Sequence, residues 1–93
     1  MDLGIAGKRA IVAAGSAGLG LATAISLARN GARVVICGRD EKRLHDATER
    51  VGNGCHGIVH DVATHETAME FVRKTIDHLG GVDILVTNGG GPP

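Results

Sequence analysis

Short apolar runs rich in β-branched residues alternate with longer stretches of helical period along this chain, and no other feature narrows its fold as far. The first run is Ala10-Ile11-Val12-Ala13-Ala14. Unbroken apolarity over so short a length, with a glycine-rich turn behind it, is the pattern of a strand buried on both faces. From Gly18 to Asn30 the apolar residues Leu21, Ala24, Ile25 and Ala28 recur at helical spacing, and Asn30-Gly31 offers the left-handed stop that helix ends favour. Arg33-Val34-Val35-Ile36-Cys37 is the second run, closed by Gly38. Asp40 then caps a helix that turns Leu44, Ala47 and Val51 inward and Glu41, Lys42, Arg43, Glu49 and Arg50 outward. After Gly52-Asn53-Gly54, a third strand is expected within 55–62, centred on Gly57-Ile58-Val59-His60. A third helix begins near Thr64, carries Ala68, Phe71, Val72, Ile76 and Leu79 on one face, and stops at Gly80-Gly81. Asp83-Ile84-Leu85-Val86-Thr87 is the fourth run, and a glycine- and proline-rich string follows it.

Parallel neighbours need a crossover and a helix supplies it, so this alternation predicts an α/β class with a parallel sheet. At 93 residues the chain makes one small domain. Ten Lys+Arg against ten Asp+Glu give no net charge, without the basic excess of a nucleic-acid binder. The apolar runs fall far short of the ~20 residues that span a bilayer. Met1-Asp2-Leu3-Gly4 lacks the basic segment and apolar stretch of a secretory signal, and the expected compartment is the cytoplasm. Fifteen glycines punctuate the periodic segments, and Phe71 is the sole aromatic residue, with no Trp or Tyr. A mechanism that needs a phenol has none here.

Two places carry chemistry. Ala13-Ala14-Gly15-Ser16-Ala17-Gly18-Leu19-Gly20 joins the first strand to the first helix, where unpaired backbone N–H groups and about half a positive charge from the helix dipole suit a diphosphate. At the tip of the second strand, Cys37-Gly38-Arg39 presents a guanidinium where a carboxylate would read a ribose 2′-hydroxyl. Arginine there accommodates a 2′-phosphate, so NADP(H) is favoured over NAD(H), and Lys42 and Arg43 follow within one helical turn. Asp40 is a helix cap or, one register over, a ribose partner.

After the first, third and fourth strands the chain resembles the N-terminal part of a short-chain dehydrogenase/reductase, especially the 3-oxoacyl-acyl-carrier-protein reductases. The family's TGxxxGIG reads AAGSAGLG here, with Ala13 and Ala14 for Thr and the first Gly and Leu19 for Ile. Its Asp-Val is matched by Asp61-Val62, and its NNAG becomes Thr87-Asn88-Gly89-Gly90. The resemblance implies a partial Rossmann fold over 1–93, four strands in the order 3-2-1-4, with a dinucleotide on Gly15, Ser16, Ala17, Gly18, Leu19, Gly20, Arg39, Asp61, Val62, Asn88, Gly89 and Gly90. The Asp61 carboxylate would accept the adenine amino group. It implies an oxidoreductase acting on a small carbonyl or alcohol by hydride transfer, and a homo-oligomer is expected. No nucleic acid or membrane is an expected partner.

The family's Ser, Tyr and Lys of catalysis all lie beyond the fourth strand, and Ser16, Ser26, Lys8, Lys42 and Lys74 are misplaced to stand in for them. No catalytic residue is therefore assigned, and the chain is expected to be a fragment truncated before the catalytic region and inactive alone. The alternative is a non-catalytic dinucleotide-binding or interaction module. Continuation past Pro93 into Tyr-x-x-x-Lys would favour the enzyme. Cys37 and Cys55 are expected to be free thiols, and His45, His56, His60, His65 and His78 to be solvated or capping, without metal-type helical spacing.

Overall fold

The computed structural model describes residues 4, 6–13, 18–60 and 65–87, with the backbone alone at 65, 68 and 87. Its elements are β1 (Arg9–Ala13), α1 (Gly18–Arg29), β2 (Arg33–Gly38), α2 (Glu41–Val51), β3 (His56–Val59), α3 (His65–Leu79) and β4 (Ile84–Thr87). All four strands are parallel in the order β3-β2-β1-β4, as the sequence led one to expect. β1 pairs with β2 from Arg9↔Arg33 to Val12↔Ile36, and with β4 from Ala10↔Ile84 to Ala13↔Thr87.

Alternate residues of each strand face opposite sides, and both sides are apolar because helices cover both. Ala10, Val12, Val34 and Ile36 pack beneath Leu21, Ala24 and Ala28 of α1 and Leu44, Ala47 and Val51 of α2. Ile11, Ala13, Val35 and Cys37 pack on the other side with Phe71 and Leu79 of α3. Connections through α1 and α2 step one way across the sheet. The connection through α3 then jumps from the outer strand to the far side of β1, reversing that direction.

One position on α3 departs from the expected stripe. Ile76 is 40% exposed, and Thr75 is fully buried in its place. Residues 71, 75 and 79 are four apart and so lie above one another on one face, and the Thr75 hydroxyl is satisfied by donating to the Phe71 carbonyl at 2.9 Å. On the opposite side, Gly57 lets α2 lie close on β3. A Cβ there would sit 2.8 Å from Thr48 Cγ2 and 3.0 Å from Leu44 Cγ. β4 borders the sheet among the described residues, and Leu85, register partner of Ile11, is half exposed on the α3 side.

The opposite end of the sheet is closed by a polar latch. Asp83 Oδ2 accepts from the Arg9 backbone N–H at 2.8 Å and from Arg9 Nε at 3.1 Å, while Arg9 Nη1 donates to the Gly80 carbonyl at 3.1 Å. The Arg9 guanidinium and backbone amide hold the Asp83 carboxyl down to about 2. This perturbed carboxylate lies where β1 and β4 begin, and its partner is structural.

Candidate functional site

Parallel strands bring all their carboxyl ends to one edge. In this order β2 and β3 lie on one side of β1 and β4 on the other, and ligands of open α/β sheets lie outside the carboxyl ends at such a reversal. α1 starts beside it. Gly18, the first helical residue, has φ +61°, a left-handed conformation that L side chains rarely adopt, yet a Cβ there would meet nothing within 4 Å. Glycine is required at 18 by backbone hand, not by crowding. Leu19 is 80% exposed, whereas Gly20 is buried against the core. No acidic residue occupies the first turn of α1, so its positive end meets no carboxylate of its own first turn.

The second strand–helix corner is arranged differently. Asp40 is extended, φ −96° and ψ 112°, and its Oδ1 accepts from the backbone N–H of Lys42 at 3.0 Å and of Arg43 at 3.1 Å. Asp40 is thus a helix cap, which commits one carboxylate oxygen to α2. Arg39, just past the end of β2, is exposed and makes no ion pair or side-chain hydrogen bond among the described residues. Lys42 and Arg43 are exposed as well. Of the residues named from the sequence, Gly18, Leu19, Gly20 and Arg39 are thus found on the strands' carboxyl side. Gly15, Ser16, Ala17, Asp61, Val62, Asn88, Gly89 and Gly90 lie outside the described residues.

One residue here was not singled out by sequence reasoning. His60, expected to be solvated or capping, has a side chain only 13% exposed. Its ring lies 6.4 Å from that of Phe71, and its Nε2 is 2.9 Å from the Thr67 carbonyl. Its backbone N–H also donates to the Gly38 carbonyl at 3.0 Å. No periodic signal marks a half-buried histidine beyond a strand end.

Other features lie apart from this edge. A depression of about 680 Å³ between α2 and β3 is lined by Glu41, Lys42, His45, Thr48, His56 and Val59 among others. It flanks the outer strand, two strands from the reversal point. Cys37 is buried, and Cys55 is half-buried, with burial pushing its thiol up to about 11 and away from the reactive thiolate. No group of three metal-ligating side chains occurs among the described residues, and no helix among them is long and apolar enough to cross a membrane.

Comparison with known proteins gives a consistent picture. The family model for short chain dehydrogenases matches residues 8–93. An uncharacterized oxidoreductase of Staphylococcus saprophyticus is 38% identical over 87 residues, covering 89% of this chain and 37% of that protein. Glucose 1-dehydrogenase of Gluconobacter oxydans is 37% identical over 89 residues, covering 91% and 34%. The crystal structure of L-sorbose reductase from Gluconobacter frateurii, complexed with NADPH and L-sorbose, matches with a TM-score of 0.85 at 39% identity, covering 100% of this chain and 37% of that one. The chain therefore spans little more than a third of the length of these relatives.

Proposed function

The chain belongs to the short-chain dehydrogenase family, and on that footing we propose that it is the dinucleotide-binding part of an NADP(H)-dependent oxidoreductase interconverting a small carbonyl compound and its alcohol. When bound, the cofactor supplies or takes up the hydride. The residues of this chain hold it. The α1 amino terminus, opened by Gly18 and free of first-turn carboxylates, takes the diphosphate. Arg39 pairs with the 2′-phosphate, Asp61 accepts from the adenine amino group beside Val62, and Asn88, Gly89 and Gly90, which follow β4 in sequence, add further cofactor contacts. No tyrosine occurs in the chain, so a phenol to carry the proton that balances hydride transfer is not among these residues. The 3-oxoacyl-acyl-carrier-protein reductases, whose motifs the chain resembles, and the sugar-acting relatives share this carbonyl chemistry.

The observation that carries the choice of NADP(H) is the division of labour at the second corner. Asp40 is engaged in capping α2, and the neighbouring Arg39 is left exposed and unpaired among the described residues. Titration with NADPH and NADH tests it. A charge-assisted pair contributes roughly 1.5–3 kcal/mol, so Arg39→Ala should weaken NADPH by about 10- to 100-fold. NADH affinity should stay within about twofold by the same reasoning, since it has no 2′-phosphate to lose. Equal weakening of both would overturn the role given to Arg39.

A further inference from the structure

We propose that His60 is a positioning residue that sets the preference for NADPH over NADH by fixing the corner from which Arg39 leaves the sheet. The inference rests on the role of Arg39 proposed above and adds a second residue to it. His60 is the first residue past β3, and its backbone N–H donates to the carbonyl of Gly38, the residue immediately before Arg39. A rung so near the end of a ladder on the outer strand frays readily unless something holds it. The side chain of His60 is what holds it. Its Nε2 lies 2.9 Å from the Thr67 carbonyl in the first turn of α3, and a carbonyl only accepts, so Nε2 carries the proton. The ring also lies stacked on Phe71, which is fully buried in the core between α3 and the sheet. Glu70 Oε2, 3.9 Å from the same nitrogen, adds attraction if the ring is protonated, so the clamp holds in either charge state. Thus α3 grips His60, His60 grips Gly38, and Arg39 projects from an anchored backbone. A guanidinium held in place gives up less freedom on meeting a phosphate than one on a frayed tip.

Three variants and one cycle test this in the full-length protein. His60→Phe keeps a ring over Phe71 without the donor, and His60→Asn places its amide near Nδ1, out of reach of Thr67. Either reports if the other fails to fold. His60→Gln carries a donor to the Nε2 position. One neutral hydrogen bond corresponds to roughly three- to tenfold in affinity. The expected result is that His60→Phe and His60→Asn reduce the NADPH/NADH affinity ratio by about that factor, that His60→Gln restores it, and that neither loss appears in an Arg39→Ala background. A merely structural histidine would weaken both cofactors alike and leave the ratio unchanged. An unchanged ratio in both folded variants, or the same loss with Arg39 absent, overturns the proposal. A wild-type protein without preference for NADPH overturns the reading of Arg39 itself, a result separate from these.

Discussion

The two strand–helix corners at the carboxyl edge of the sheet have the same topology and opposite chemistry. At the first, α1 opens on a left-handed glycine, has no first-turn carboxylate, and exposes Leu19. At the second, α2 opens on an Asp40 cap, carries Glu41 in its first turn, and stands beside an exposed Arg39. A helix that supplies its own anion has stability in view. One that leaves its positive end to the surroundings has binding in view, provided a ligand of the right charge is at hand. On the proposed function, one fold element used twice would offer a pyrophosphate site at one corner and a phosphate-reading cation at the other.

Exchanging the two characters is the sharpest way to break this contrast. Leu19→Asp gives the first corner a carboxylate, which should weaken NADPH on the order of 100-fold through repulsion of the diphosphate. The same change should leave stability equal or raise it by about 0.3–1 kcal/mol through the helix dipole. Binding by calorimetry and unfolding by heat, measured on one sample, would register these opposite signs. A loss of stability matching the loss of binding would mean that Leu19 serves the core.

The reverse change, Asp40→Ala, removes the cap from the second corner and should cost roughly 1 kcal/mol. For a chain of this size that lowers the thermal midpoint by about 4–8 °C. NADPH affinity should not fall, because the lost group is a carboxylate beside the proposed phosphate. A fall in affinity larger than the fall in stability would place Asp40 on the ribose.

The smallest effect belongs to the latch at the other end of the sheet, which serves as the control. Asp83 titrates at about 2 against an ordinary 3.8. The carboxylate form is favoured by folding, so its contribution is full above the ordinary value and disappears as the pH falls through the folded one. Asp83→Asn should be less stable than the wild type at neutral pH, and the two unfolding curves should converge between pH 3.8 and 2. Cofactor affinity should be the same in both.

The sequence announced the elements because their signals are local and periodic. Val34-Val35-Ile36-Cys37 reads as a buried strand without knowledge of its neighbours, and Leu44, Ala47 and Val51 are buried as their spacing requires. Asp40 was legible as a cap for the same reason, since its partners lie two and three residues away. Thr75 was not, because a buried hydroxyl looks polar until its carbonyl partner is seen. Nor were Arg9 with Asp83, 74 positions apart, or His60, whose contacts come from β2 and α3 and not from its own strand. Local pattern fixed where Arg39 stands, but only tertiary contact brings His60 against the Gly38 carbonyl beside it.

Backbone amide shifts during titration of the protein with NADPH read directly where the dinucleotide lies. Gly18, Leu19 and Gly20 should move with either NADPH or NADH, and Arg39 strongly with NADPH alone. Movement confined to His45, Thr48 and His56, beside the depression between α2 and β3, would contradict this placement.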